Sequence, residues 1–296
     1  MAIPESQLET WSHQGAITTS KNTYASIKGN LEANDASYAS KDFEIYLQGS
    51  YGNDTNIRAD SDVDVVIQLN STFHHNLARL PPEQVAAFWQ THSVATYKFT
   101  DFKEDVVAQL KTKYGSQQVV VGSKSAKLRS GSGRLGADVI VCCQYRDYQF
   151  FRGLYDQGYD EGIFFKSADG QEIVNYPKQH SRHCTTKHQA SGSLFKPLVR
   201  IVKNMRGCLV EDGSIADDLA PSYFIEGLLY NVPDDQFSGD FGNTFCNCIN
   251  WLVKTDRSKC VCPSGKHWLF GNSSVQWDDG KCTRCLDALV GLWNGP

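Results

Sequence analysis

The stretch from Glu44 to Leu69, EIYLQGSYGNDTNIRADSDVDVVIQL, constrains this chain more than any other. It reads as a strand at Ile45–Leu47, a Gly49-Ser50 turn and a short irregular or helical segment. A second strand then opens with Asp62-Val63-Asp64 and continues through Val65, Val66 and Ile67. Residues i and i+2 of a strand share a face. Asp62 and Asp64 therefore stand side by side, with Val63 and Val65 on the other face. Two like charges so placed repel, and a cation between them relieves the repulsion. Hard divalent ions with oxygen ligands, Mg²⁺ above all, suit such a pair. The Gly49-Ser50 turn lies upstream, where backbone N–H groups and a hydroxyl can hold phosphate oxygens. A phosphate cradle beside carboxylate metal ligands is the apparatus of phosphoryl or nucleotidyl transfer. By itself D-x-D is equally an acidic turn before an ordinary strand; the Gly-Ser spacing and the apolar run favour the site.

A further carboxylate is expected, because two-metal transfer needs one more acid for the ion that activates the attacking hydroxyl. Asp138 opens the strand-like run Ala137-Asp138-Val139-Ile140-Val141-Cys142 and supplies it. From Ile173 to Val210 there are seven Lys and Arg and no Asp or Glu, a one-sided stretch in a chain whose net charge is −4. Within it FKPLVRIVKNMRGCL has a helical pattern that places Lys196, Lys203 and Arg206 in one broad arc. Such an arc is either a solvated face or one turned toward an anion such as a triphosphate.

These motifs resemble a known family. Gly49-Ser50 followed by Asp62-x-Asp64 is similar to the signature of the nucleotidyltransferase superfamily that includes polymerase beta. The fuller string QGSYGNDTNIRADSDVDVV looks like its cGAS/DncV-like branch, bacterial synthases of cyclic oligonucleotide alarm signals, with Gln48, Gly49, Ser50, Thr55, Ile57 and Arg58 in step. Asp60 extends the acidic series and is left out of the ligand set. The resemblance resumes at NYPKQH, KPLVRIVKNMR and APSYFIEGLLYNVP. It implies an α+β fold: a nucleotidyltransferase lobe with a mixed sheet over residues 1–175, including an N-terminal helix spanning both lobes, and a helical lobe over 176–296, with nucleotides in the cleft between them. It also implies that Lys203 and Ser222 contact the donor triphosphate, that Tyr223 stacks on a base, and that Asn175 lies near the nucleotide pocket. A carboxamide pairs with one edge of uracil through two bonds, so UTP is expected in at least one pocket, beside ATP. The alternative for Asn175 is a turn cap before Tyr176-Pro177.

The activity so implied is template-free synthesis of a cyclic di- or oligonucleotide from NTPs, with pyrophosphate released. Two Mg²⁺ ions, or Mn²⁺ as a substitute, would be held by Asp62, Asp64 and Asp138, and the product would switch on an effector in anti-phage signalling. A linear product, or a catalytically silent binding protein of the same fold, are the readings left beside it.

Composition narrows the rest. With 296 residues, 41% of them hydrophobic, the chain can bury a sizeable core. No apolar run reaches the roughly 18 residues of a membrane span, and the opening residues carry no secretory signal. The acidic balance gives no broad basic surface for long nucleic acid. The ten cysteines fit free thiols in a reducing cytoplasm. Of Cys246, Cys248, Cys260, Cys262, Cys282 and Cys285, only Cys282-x-x-Cys285 has a zinc-knuckle spacing, and it falls inside a helical pattern, so buried free thiols are expected over zinc. Residues 5 to about 33 read as one long helix or two. PPEQVAAFWQTHSVATYKF and TDFKEDVVAQLKTKYG read as helices, the latter with Thr100 as N-cap. Gln117–Val121 is a short strand, SKSAKLRSGSGRLG a loop or weak strand, and Phe241–Lys254 and Gly280–Trp293 are helices.

Overall fold

The computed structural model describes residues 3–15, 17–57, 62–131, 133–273 and 276–295. In chain order its helices are α1 (Glu5–Ser12), α2 (Thr18–Leu31), α3 (Gly49–Gly52), α4 (Pro82–Thr91), α5 (Phe99–Tyr114), α6 (Pro177–Ala190), α7 (Phe195–Glu211), α8 (Ser222–Tyr230), α9 (Phe241–Lys254) and α10 (Asp279–Asn294). The strands are β1 (Phe43–Leu47), β2 (Val63–Asn76), β3 (Val119–Val121), β4 (Ala126–Leu128), β5 (Ala137–Gly153), β6 (Asp156–Lys166) and β7 (Glu172–Asn175). Arg58 and Asp60 lie outside the described residues.

The chain forms two compact units, and neither is a continuous piece of sequence. One comprises Thr18–Gln48 and Asp60–Pro177, the other Met1–Ile17, Gly49–Ala59 and Lys178–Pro296. A cut at 175/176 thus falls beside the last crossing at Pro177, but two earlier segments belong with the C-terminal helices. The first of them holds α1 while α2 belongs to the other unit, so no single N-terminal helix runs through both. The helix ends at Ser12 because His13 is extended (φ −75°, ψ 146°). Gly15 N–H then bonds to the Asn56 carbonyl at 3.2 Å.

In the first unit a seven-stranded mixed sheet runs β1-β2-β5-β4-β3, with β6 on the second half of β5 and β7 on β6. The β2–β5 pair is parallel and the other pairs are antiparallel. Val63, Val65, Val66, Ile67 and Leu69 of β2 are fully buried, as a central strand covered on both faces requires. Helix α5 packs on β2, β3 and β5 through Phe99, Phe102, Val106, Gln109 and Leu110, one stripe at three- and four-residue spacing. Its N-cap is Lys98, not Thr100. Asp101 reaches back to accept the Lys98 N–H at 2.8 Å, which fixes the start two residues earlier. Helix α4 stops at Thr91 rather than reaching Phe99, since Val94 and Thr96 are β-branched and favour extended backbone.

The second unit is organised around α7. Phe195, Leu198, Val199, Ile201, Val202, Met205 and Leu209 are buried, and α1, α8, α9 and α10 surround them. Asp240 and Asp278 cap α9 and α10 by accepting the Asn243 and Lys281 N–H groups at 2.7 and 2.8 Å. Glu5 of α1 adds a second cap to α9, accepting from Phe241 N at 2.7 Å and Gly242 N at 3.0 Å. All ten cysteines are free thiols and eight are buried. No helix among the described residues is long and apolar enough to cross a membrane.

Candidate active site

The acidic centre belongs to the sheet unit. Parallel pairing of β2 with β5 sets Asp64 directly opposite Asp138, between the Val63–Ala137 and Val65–Val139 pairs. Val63 and Val65 are buried on one side; Asp62, just before the strand, is exposed. Burial, with the charges of Asp138 and Asp62 beside it, pushes the Asp64 carboxyl up to about 6. Asp138 accepts a hydrogen bond from Ser125 Oγ at 2.9 Å, and Lys127 Nζ stands 3.7 Å from its other oxygen. The three expected acids are therefore brought together by one strand pairing.

Gly136, which sequence reasoning passed over, completes the arrangement. Its carbonyl accepts the Val63 N–H at 2.9 Å. A Cβ at Gly136 would lie 2.2 Å from Asp62 Oδ1, so only glycine leaves room for that carboxylate. The available signal was a glycine two residues before an acid on a strand able to pair with the D-x-D strand. Gln48 closes the same end of β2 by donating its N–H to the Asp64 carbonyl at 3.1 Å. Its side-chain Oε1 is buried without a hydrogen-bond partner among the described residues. The carboxylates offer exclusively oxygen donors, and a carboxyl raised by burial and by its like-charged neighbours is one that a hard divalent cation relieves.

The helical unit holds the turn and most of the other expected residues. Gly49 takes a left-handed φ of 66°, which glycine adopts without penalty. The loop after α3 closes through Asn53 N to Gly49 O at 3.0 Å and Thr55 N to Ser50 O at 2.8 Å. Three acids outside the acid-free window then fold onto it. Lys196 Nζ meets Asp54 at 2.8 Å, Lys203 Nζ meets Glu226 at 2.9 Å, and Arg206 meets Asp217 at 2.7 Å. The basic arc of α7 is thus no open anion face. Lys203 is 3% exposed, and its ammonium also donates to Thr55 O and Oγ1 at 3.3 and 3.1 Å. In this structure the partners of Lys203 are internal, and its expected contact with a triphosphate belongs to the proposal below. Burial works to raise the Glu226 carboxyl, but the Lys203 ammonium, His180 and the Thr55 hydroxyl hold it well below the usual carboxylate range.

Ser222 and Tyr223 open α8, both on the surface. Tyr223 is 38% exposed, and its ring lies 5.4 Å from the His180 ring at 33°; an exposed aromatic of this kind can take a stacked base. In the sheet unit Asn175 ends β7 exposed. Its Oδ1 accepts the Tyr176 N–H at 3.0 Å, so the turn-capping role is present, while its Nδ2 carries two further donors. Among the described residues one cluster, His180, Cys184 and Glu226, has ligand atoms within 4.8 Å of one another. The Lys203 ammonium already neutralises Glu226 there and disfavours a cation.

Two family models match the chain. The nucleotidyltransferase domain model matches residues 31–121, and the cGAS/DncV-like nucleotidyltransferase C-terminal helical domain model matches 182–294. The chain is 46% identical over 296 residues to a cyclic UMP-AMP synthase of Rhodothermus marinus, covering 100% of this chain and 99% of that protein. It superposes on the structure of the Rhodothermus marinus CdnE c-UMP-AMP synthase with Apcpp and Upnpp at a TM-score of 0.90. Identity there is 45%, over 99% of this chain and 97% of the other. The Elizabethkingia meningoseptica CdnE cyclic dinucleotide synthase, solved with GTP and Apcpp, gives 0.75 at 31% identity, covering 99% and 98%.

Proposed function

Because this chain belongs to the cGAS/DncV-like nucleotidyltransferases, we propose that it joins NTPs without a template into a cyclic di- or oligonucleotide and releases pyrophosphate. The observation that carries this reading is the β2–β5 register, which sets Asp64 against Asp138 with Asp62 alongside. These three carboxylates would hold divalent cations, two Mg²⁺ or Mn²⁺ in their place. Bound there, such ions supply an acidified attacking hydroxyl and charge compensation for the leaving pyrophosphate. Gly136 keeps the Asp62 carboxylate in line, and Ser125 orients that of Asp138. The Gly49-Ser50 turn and the Ser222 hydroxyl receive phosphate oxygens, with Gln48 beside the turn in the chain. Tyr223 offers its exposed ring to a base. Lys203 serves the phosphate end from behind, through Thr55. A second transfer, from the 3′- or 2′-hydroxyl of the linear intermediate, closes the ring.

Asn175 supports UTP as one substrate. Its Nδ2 hydrogens match the carbonyl oxygens of uracil, and its Oδ1, already accepting once, has a second lone pair for N3–H. The Rhodothermus relative, named a cyclic UMP-AMP synthase, agrees with that choice. In the cell the product would act on an effector in anti-phage signalling. Incubation with each pair of NTPs, followed by phosphatase and mass analysis, tests the proposal. A phosphatase-resistant ring is the expected product. A product that loses terminal phosphates to phosphatase would make the enzyme a linear synthase, and absence of pyrophosphate release would overturn catalysis altogether.

A further inference from the structure

Glu226 is a buried charge for which the reaction has no direct use. It is 4% exposed and gathers four donors. Its Oε1 accepts from the Thr55 hydroxyl and from Lys203 Nζ, the latter at 2.9 Å. Its Oε2 accepts from Asn53 Nδ2 at 3.0 Å and faces His180 Nε2 at 3.1 Å. Two of those four partners lie in the loop that follows Gly49-Ser50. Lys203 grips the same loop through the Thr55 carbonyl and hydroxyl. Lys196 and Arg200 hold Asp54, which sits at a left-handed φ of 57°. Gln14 Nε2 holds Asn56 Oδ1 at 2.6 Å. Asn53, Asp54, Thr55 and Asn56 are thus each tied down.

Apolar side chains of similar volume stabilise an interior at least as well as a buried ion pair. What the ionic network adds is direction, because each donor fixes one atom of the loop. His180 extends the network to the Tyr223 ring 5.4 Å away. We propose that Glu226 is a positioning residue for nucleotide binding, which with Lys203 fixes the Asn53–Asn56 loop behind the Gly49-Ser50 turn and through His180 seats Tyr223. The inference rests on the reading that this turn receives phosphates. It assigns to Lys203 an action through Thr55.

Three variants test it. Thr55→Val removes the hydroxyl's bonds to Glu226 and to Lys203 at constant shape and leaves the Lys203–Glu226 pair intact. Thr55→Ser restores the hydroxyl. Glu226→Gln with Lys203→Met removes both charges together, so that neither is left buried alone. The readouts are calorimetric affinity for non-hydrolysable ATP and UTP analogues, at a temperature where every variant is folded by circular dichroism, and KM and kcat from pyrophosphate release. Thr55→Val and the double variant should bind both analogues about tenfold more weakly, raise KM by the same factor and leave kcat within about threefold. Thr55→Ser should match the wild type. A lowered melting temperature with unchanged affinity would reduce the network to a staple and overturn the proposal. So would weakening in the double variant alone, which would make Lys203 a direct phosphate contact. If the unaltered protein binds neither analogue, the phosphate reading fails and takes this inference with it.

Discussion

Gly136 and Asp64 show how much of the chemistry depends on single atoms. Gly136→Ala would drive a methyl into Asp62 Oδ1, and the carboxylate, being the movable partner, would swing away. Because that carboxylate is exposed and free to move, the cost in stability is small. The larger effect is on metal: pyrophosphate release should fall about a hundredfold and need more Mg²⁺ for half-maximal rate, as a Mg²⁺ titration would read. Asp64 carries a pH signature. Its folded carboxyl, at about 6, lies above its ordinary value of 3.8. The folded state therefore holds the proton longer than the unfolded chain, and stability falls as pH rises between those values. In metal-free protein the loss from pH 4 to 7 should be about 1–2 kcal/mol once solvent screening is allowed for. Denaturant titrations should find that slope flattened in Asp64→Asn. An equally steep slope in the variant would show that the charge crowding lies elsewhere.

At the scale of elements, α1, α7 and α8 carry the sharpest expectations. Glu226 has the opposite sign to Asp64. Its folded carboxyl lies below its ordinary 4.5, so its contribution is complete above that pH and is lost as pH falls below it. Glu226→Ala, leaving the Lys203 ammonium buried and unpaired, should cost about 3–5 kcal/mol by chemical denaturation at pH 7. Glu5→Ala should cost about 1 kcal/mol by the same measure, since it removes the second of the two caps of α9. The strands and helices of the acidic centre were legible because their patterns are local: D-V-D-V-V-I and A-D-V-I-V each announce a buried strand. The rest of β5, with β6 and β7, was not. Beyond Val141 polar residues such as Gln144, Arg146 and Asp147 alternate with aromatics, and Arg146 finds its place over the rings of Phe73 and Tyr159, contacts no window of sequence contains. The partners of the α7 lysines were not legible for a similar reason. Their acids, Asp54 and Glu226, are 142 and 23 residues away, so a stretch free of acids in sequence is not free of them in space.

For the whole molecule, the family, the mixed sheet and the helical C-terminal part were all readable from spaced motifs, because phosphate and metal chemistry tolerate few residue types at those positions. The base preference is a property of the complete enzyme. Among four labelled NTPs in competition, Asn175→Ser should lower UTP incorporation about tenfold relative to ATP, and equal incorporation by both proteins would remove Asn175 from base choice. The interleaving of the two units was not readable, since nothing in the composition of Met1–Ile17 or Gly49–Ala59 assigns them to the C-terminal helices. It has a consequence for synthesis on the ribosome. Helix α1 emerges first, yet the helices it packs against, α7 and α9, emerge among the last. The unit that holds α1 therefore closes only after the sheet unit's residues have been made, a long-range event of the slow kind. Nascent or prematurely terminated chains hold the three aspartates without Glu226, Ser222 or Tyr223. A chain cut before Ser222 is therefore expected to release no pyrophosphate from NTPs.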